Sequence, residues 1–412
     1  MKLAVTLADV ESARRVIADH VLRTPTLASP RLSALTGANI CIKYENLQAT
    51  GSFKERGALN KLASLSDGEK KRGVVAMSAG NHAQAVAYHA TRLGIASTIV
   101  MPEPTPFVKV AATEAHGARV VLHGETIADA ERRALEFVEK DGLVLVHPYD
   151  DAKVIAGQGT IALEMLEDDP ALDILVVPIG GGGLIAGIAT AARAIKPSIE
   201  VIGVEAALYP SMWNAVKGEN RPCAGTTIAE GIAVKNVGKL TLPVIRELVA
   251  DILLADEGHL ERAVNAFLTL QKTMAEGAGA AGLAAVLSEP GRFRGKRVGL
   301  VVCGGNIDPR VAAGIMVREL ERDDRIVSYR ISIQDRPGTL GTISTLLGRL
   351  GANILEVHHR RLFLDMPARG ARLDVTVETR DRAHAETIER ALASEGYSVE
   401  RIDTGAGGFE PV

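Results

Sequence analysis

Lys54 stands one residue after Phe53 in the run Asn46-Leu47-Gln48-Ala49-Thr50-Gly51-Ser52-Phe53-Lys54-Glu55-Arg56-Gly57-Ala58, just beyond the short apolar segment 40–44. Lysine is ordinarily a solvated surface charge, so one held among small residues needs a chemical reason. Schiff-base chemistry is such a reason. It requires an amine whose pKa is lowered by burial or by a nearby cation, and Arg56 lies two residues on. The blander reading of the same residues is a loop that enters a helix over 54–65. Further along, a strand over 174–177 runs into Gly180-Gly181-Gly182-Gly183-Leu184, and then into a helix over 184–195. Strand, glycine loop and helix N-terminus together make a cradle of backbone N–H groups suited to phosphate. The spacing Gly181-x-Gly183-x-x-Ala186 also satisfies the dinucleotide fingerprint, and Glu205 ends the next strand where a ribose-binding acid would lie. A nucleotide-dependent dehydrogenase therefore stays open at this point. Against it, the loop begins a second series of elements, and no catalytic His or Arg pattern accompanies it.

Two more glycine turns end strands. Cys303 precedes Gly304-Gly305-Asn306 after a strand over 297–302, as either a core thiol or a site residue facing the cleft. Ser78, Ala79, Gly80, Asn81, His82 and Gln84 crowd a helix start after a strand over 73–77, where free N–H groups suit a carboxylate. His82 there is a general base or, more commonly, a hydrogen-bonded structural histidine.

These residues need a scaffold, and the composition says which kind. The chain has 412 residues, 47% of them hydrophobic and 24% charged, enough for two or three domains. A net charge of −3 gives no reason to expect nucleic acid or an anionic membrane as partner. Aromatics are only 3% while glycines number 41, so the core must come from Ala, Val, Ile and Leu, as in helices packed on a parallel sheet. Residues 1–20 show neither a long apolar run nor a small-residue cleavage site, so no secretory leader is expected, and no run reaches the length of a membrane span. Cys41, Cys223 and Cys303 are odd in number and widely spaced, which points to a reducing cytoplasm.

A helix is expected over 10–20, with Asp9 as its N-cap. Strands are expected at 73–77, 97–101, 119–122 and 143–146, alternating with helices at 84–92, 106–115 and 127–140. A second series follows: helix 157–166, strand 174–177, helix 184–195, strand 200–204, helices 260–271 and 278–287, and strand 297–302. Such alternation means βαβ units, hence two α/β lobes with a ligand between them at the carboxyl ends of the strands. After the charged stretch 318–325 the pattern becomes strand 327–333, helix 339–350, strands 354–361 and 372–378, helix 383–395 and a last strand near 397–401. That order, β-α-β-β-α-β, is ferredoxin-like.

The four segments Ser52-Phe53-Lys54-Glu55-Arg56-Gly57-Ala58, Ser78-Ala79-Gly80-Asn81-His82, 180–184 and Cys303-Gly304-Gly305-Asn306 occur in this order. Together they resemble the fold-type II pyridoxal-phosphate enzymes, in particular the threonine dehydratase (threonine ammonia-lyase) family, over roughly residues 5–320. The C-terminal part resembles an ACT domain through Asp335-Arg336-Pro337-Gly338-Thr339-Leu340 and Gly351-Ala352-Asn353-Ile354. The resemblance implies a two-lobed, tryptophan synthase β-like catalytic domain over 1–320, with a small lobe at about 45–145 inserted in the large one. A linker at 321–325, an ACT regulatory domain over 326–403 and a loose tail at 404–412 would follow. Lys54 would hold pyridoxal 5'-phosphate beside Phe53 and move the substrate's α-proton. Gly180, Gly181, Gly182, Gly183 and Leu184 would hold the cofactor phosphate, Asn81 the ring's phenolic oxygen, and Ser78, Ala79, Asn81 and His82 the substrate carboxylate. Cys303 stands where the family places a small neutral partner for the pyridine nitrogen, which favours β-elimination. The implied products are 2-oxobutanoate and ammonia from L-threonine, and pyruvate from L-serine. Pro337, Gly338, Thr339, Leu340, Asn353 and Ile354 would bind an amino-acid effector such as isoleucine or valine, in a homo-oligomer, dimer or tetramer.

Two departures narrow this. Serine racemases of the family carry a second serine where this chain has Ala79, and alanine transfers no proton. Those relatives also place an acid a few residues after the equivalent of Glu205, where this chain reads Ala206-Ala207-Leu208-Tyr209-Pro210-Ser211. A lone Glu205 is a poor divalent site, so a monovalent cation is as good an expectation as Mg²⁺ or Mn²⁺. Beside the dehydratase stand another fold-type II lyase or racemase, the dehydrogenase, and a catalytically silent amino-acid sensor.

Overall fold

A computed structural model describes residues 3–360 and 370–402. The expected tail at 404–412 and residue 361 of the strand expected at 354–361 lie outside the described residues. The chain divides into two compact units, 1–308 and 309–412.

The first unit holds two sheets. The larger has six strands in the order Thr26–Ala28, Asn39–Tyr44, Arg297–Val302, Ile174–Pro178, Glu200–Ala206 and Asp251–Ala255. Every pairing is parallel except that of the short first strand. Ile174–Pro178 is buried at every position, and so is Val74–Met77 in the smaller sheet, as expected for apolar strands covered on both faces by helices. The smaller sheet is parallel throughout, in the order Arg119–Leu122, Ser97–Met101, Val74–Met77 and Val144–Leu145. In the larger sheet the chain steps outward from Ile174–Pro178 to Asp251–Ala255, then returns to place Arg297–Val302 on the other side of Ile174–Pro178. The strand order reverses there, and at such a point the loops at adjacent carboxyl ends part to leave a crevice. The glycine loop 180–183 and the Cys303 turn leave from these two strands.

The second unit begins with the helix Pro309–Arg322. An antiparallel sheet follows in the order Asn353–Arg360, Gly370–Glu378, Ile326–Gln334 and Ser398–Ile402, with the helices Thr339–Arg349 and Arg382–Ser394. Val327, Tyr329, Ile331 and Ile333 alternate with polar residues and face its core, the period-2 pattern of a half-buried strand.

Two expectations are corrected. Thr6, not Asp9, is the N-cap of the first helix, Leu7–Ile17. Asp9 sits in its first turn and completes a reciprocal capping box with Thr6. Of the charged stretch expected as a linker at 321–325, Glu321 and Arg322 belong to the last turn of Pro309–Arg322, and only 323–325 form the connection to the strand Ile326–Gln334. Alternating acidic and basic residues suit an exposed helix as well as a linker.

Candidate functional site

Lys54 is the first residue of the helix Lys54–Ala63, and the segment before it is tied to the Cys303 turn through the backbone. Phe53 N–H donates to Cys303 O at 3.0 Å, and Gly305 N–H donates to Gly51 O at 3.0 Å. Ser52 and Gly304 form an antiparallel bridge. Asn306 Nδ2 reaches Thr50 O at 2.8 Å. Gly51 needs to be glycine: its φ is +72°, and a Cβ would lie 2.5 Å from Asn306 Oδ1. The lysine loop and the thiol turn are thus a single hydrogen-bonded layer.

The Lys54 ammonium donates to Pro148 O at 2.8 Å and lies 5.1 Å from the Phe53 ring centroid. Burial lowers it to about 8, with Cys303 and Glu276 pulling the other way. Arg56, taken from the sequence as the depressing cation, is not the cause. Its guanidinium is bound between the carboxylates of Glu45 and Glu164, which neutralise it. Desolvation is what makes Lys54 an amine that loses its proton near neutrality.

Asn81 opens the helix Asn81–Arg92, and its side chain is fixed from both ends. Its Oδ1 accepts from Asn306 Nδ2 at 2.8 Å, and its Nδ2 donates to Glu276 Oε1 at 2.7 Å. An amide carries two N–H donors, so one remains for a ligand. Ser78, Ala79 and Gly80 form the turn before it, with Ser78 Oγ accepting from Gly80 N–H at 3.2 Å. A Cβ on Gly80 would meet nothing within 4 Å, which marks open space beside the helix start. His82 is buried behind this turn. Its Nε2 bonds Val146 O at 2.8 Å and its Nδ1 has no partner. Burial, helped by Lys54, holds it at about 3, so it is neutral and a poor proton acceptor at neutral pH. The structural reading of His82 fits and the general-base reading does not.

At the glycine loop, Gly182 is the N-cap of the helix Gly183–Ile195 with φ +93°. A Cβ on Gly181 would lie 2.3 Å from the Tyr149 ring, and one on Gly182 would lie 2.8 Å from both Thr241 Oγ1 and Ile245 Cδ1. Thr241 Oγ1 also donates to Gly181 O at 2.8 Å, which fixes the loop from behind. No side chain other than hydrogen fits here, and the amides of Gly183, Leu184 and Ile185 lack intrahelical acceptors by helix geometry. Cys303 is buried, and desolvation pushes its thiol well above the ordinary range, so it stays neutral. Neutral thiol, anion cradle and desolvated amine are a donor set that fits pyridoxal phosphate.

Sequence reasoning missed Glu276 and Tyr149. Burial raises the Glu276 carboxyl to about 7 against the hydrogen bond from Asn81. Its backbone N–H donates to Gly304 O at 3.1 Å, and a Cβ on Gly304 would meet its Oε1 at 2.4 Å. The available signal was an acid standing directly before a helix that is apolar up to its last residue, Gly277–Ser288. Tyr149 packs on the cradle, with its hydroxyl donating to Asn236 O at 3.0 Å. Glu205 is not a free ligand: its oxygens accept from Met212 N–H and Trp213 N–H, both at 2.8 Å, capping the helix Ser211–Lys217.

In the second unit, Pro337 and Gly338 precede the helix Thr339–Arg349, which Thr339 and Leu340 begin, while Asn353 and Ile354 start the strand after it. An eleven-residue helix spans about 16 Å, so these two groups lie at opposite ends of one element and are not brought together within one unit.

A family model described as pyridoxal-phosphate dependent enzyme matches residues 17–304, and an ACT domain model matches residues 330–396. The chain therefore belongs to the pyridoxal-phosphate dependent enzymes, of fold-type II, and carries a C-terminal ACT domain. It is similar to an L-threonine ammonia-lyase of Thermotoga maritima, 44% identical over 96% of this chain and 99% of that protein. Among solved structures, a threonine deaminase from T.th. is 41% identical with a TM-score of 0.70, covering 74% of this chain and 99% of that one. Maize serine racemase is 36% identical with a TM-score of 0.72, covering 77% of this chain and 99% of that one. This family membership replaces the dehydrogenase reading of Gly181–Ala186.

Proposed function

We propose that the chain converts L-threonine to 2-oxobutanoate and ammonia, the β-hydroxyl leaving as water and one water being taken up again as the product hydrolyses, and acts likewise on L-serine to give pyruvate, with amino-acid feedback through the ACT domain. The observation that carries this reading is the desolvated Lys54 amine, whose loop is hydrogen-bonded to the backbone carbonyl of Cys303, the residue with the neutral thiol. Pyridoxal phosphate, when bound, supplies the electron sink that makes the substrate's α-proton acidic. Lys54 takes that proton from Cα: with a pKa near 8, a useful fraction is unprotonated at neutral pH, and the ammonium formed is acidic enough to protonate the departing β-hydroxyl, which leaves as water. The amides of 180–184 would hold the phosphate, and the free Nδ2 hydrogen of Asn81 would be available to the ring oxygen. The open space at Gly80 receives the substrate carboxylate on the amides of the Asn81 helix start. Cys303 would face the ring nitrogen without imposing a charge on it. Ala79 puts a methyl group where racemisation needs a proton donor, so elimination is favoured over racemisation even though a serine racemase is among the similar structures.

Isoleucine or valine as effector, a dimer or tetramer that brings Gly338 of one copy near Asn353 of another, a cytoplasmic location and a monovalent cation belong to the same reading. With Glu205 committed to a helix start, a divalent site is disfavoured. The deciding measurement is the steady-state rate of 2-oxobutanoate and of pyruvate formation by the holoenzyme, with and without isoleucine. Turnover of threonine is expected; a holoenzyme that turns over neither substrate overturns the reading. Removal of residues 309–412 is expected to leave turnover but abolish any response to amino acids.

Glu276 gives a second check. Its folded carboxyl keeps the proton up to about 7, whereas an unfolded one loses it near 4.5. This group's stabilising contribution is therefore complete below 4.5 and is lost as pH rises through 7. Glu276→Gln keeps an acceptor for Asn81 but cannot titrate. Thermal melts of the apoprotein at about pH 5 and about pH 8 should differ less for the variant than for the parent. An ionisation near 7 in the cofactor's absorption should vanish with it. An unchanged pH dependence in both would remove Glu276 from the site.

A further inference from the structure

Arg56 is 1% exposed and all its donors are engaged. Nε and Nη2 bond the two oxygens of Glu45, each at 2.8 Å. Nη1 and Nη2 bond those of Glu164 at 2.6 and 2.8 Å, and Nη1 also meets Thr160 Oγ1 at 3.1 Å. Nη2 points as well to Leu22 O at 3.4 Å. The carboxylates are held in turn. Thr24 Oγ1 and Gln48 Nε2 donate to Glu45, and the buried ammonium of Lys43 donates to Glu164 and to Thr24 O. Glu45 lies in the turn Glu45–Leu47 after the strand Asn39–Tyr44, and Glu164 in the helix Ala152–Asp168.

Two cations and two carboxylates leave no net charge in the core, yet such a group seldom stabilises a fold more than apolar side chains of the same volume would. What it does supply is direction. A guanidinium forked by two carboxylates on different elements has one orientation, unlike an aliphatic side chain. Arg56 lies two residues after Lys54 on one helix, about 200° around the axis. Locking Arg56 on the far side therefore fixes the rotation of the turn that presents Lys54. The neighbouring residue adds to this, since the Glu55 carboxylate accepts from Thr50 N–H and from His89 Nε2.

We infer that Arg56, clamped by Glu45 and Glu164, is the positioning residue that aims the Lys54 amine at the substrate's α-carbon. The inference rests on Lys54 being the cofactor and proton-transfer lysine. Its consequence is specific: a loosened clamp leaves the amine attached but misdirected, and a misplacement of about 1 Å can cost about 10²-fold in rate.

The test uses reconstituted holoenzyme. Arg56→Lys keeps the charge but cannot fork two carboxylates, and Glu164→Gln breaks one fork with little change of shape. Both variants are expected to retain the cofactor's absorption band, with altered visible circular dichroism. Their kcat on threonine should fall about 10²-fold, with KM little changed. Threonine deuterated at Cα should slow the variants more than the parent, because proton removal becomes limiting; a merely structural defect would not do this. If kcat stays within about twofold and the isotope effect is unchanged, the inference is overturned. It is equally overturned if neither variant folds, since the clamp is then a structural support. Borohydride reduction and peptide mapping of the parent separate the two readings. Label on another lysine overturns the role of Lys54 itself, while label on Lys54 with indifferent variants overturns only the clamp.

Discussion

Lys54→Ala is expected to lower kcat by about 10²–10⁴-fold and to remove the covalently bound cofactor's absorption band, while leaving the protein folded. The loss follows from geometry. The amine lies in the layer joined to Cys303, and no second lysine shares that layer in the motif 52–58. The stability outcome has the opposite sign and separates a chemical role from a structural one. Folded Lys54 binds its proton with a pKa of about 8, and the unfolded residue near 10.5. Between these values the unfolded state holds more protons, so stability gained from this group rises with pH through that window and the penalty is complete below about 8. Alanine removes the penalty at the cost of one hydrogen bond to Pro148 O. The Lys54→Ala apoprotein should therefore melt no lower than the wild-type apoprotein at pH 7, although the wild-type holoenzyme melts above both through cofactor linkage. A variant apoprotein that melts far below the wild type would make Lys54 a structural residue.

Much of this site could be read before any coordinates because its parts are residue types that announce themselves. A glycine run between an apolar strand and an apolar helix, and a cysteine followed by two glycines at a strand end, are unusual locally and need no tertiary information. The helix Ile127–Asp141 and the strands Ser97–Met101 and Arg297–Val302 were equally legible from period and composition. Glu276 and the Arg56 clamp were not, because a buried charge looks like a surface charge until its partners are placed. Glu164 offered the one hint, a lone acid in the apolar run Thr160-Ile161-Ala162-Leu163-Glu164-Met165-Leu166, which demands a buried cation. The partner lies 108 residues away and is invisible to periodicity. The short strands Thr26–Ala28 and Asp251–Ala255 were missed because few residues carry their pattern, and pairing with the rest of the sheet decides them. The Thr6 cap, by contrast, was available locally, since Thr6-Leu7-Ala8-Asp9 is a capping-box sequence.

Gly187→Ala is expected to destabilise the protein by about 3 kcal/mol and to weaken cofactor binding, although Gly187 is not one of the residues assigned to the cofactor. It lies in the helix Gly183–Ile195, where alanine is intrinsically favoured by about 1 kcal/mol, so propensity alone would stabilise the variant. Packing opposes this. A Cβ there would lie 2.2 Å from Ile155 O and 2.6 Å from Gly159 N, both backbone atoms of the helix Ala152–Asp168. The reciprocal Cβ on Gly159 would lie 2.8 Å from Gly187 O, so the two backbones are in contact and no side chain can rotate away. The helices must separate, and each carries part of the site at one end. One begins at the glycine cradle, and the other bears Thr160 and Glu164 of the Arg56 clamp. Gly291→Ala is the control, because a Cβ there meets nothing within 4 Å. It should change stability by less than about 0.5 kcal/mol. Chemical denaturation of both apoproteins and a cofactor titration of both variants give the comparison. If Gly187→Ala matches Gly291→Ala in both, the close approach of these helices does not set the distance between cradle and lysine.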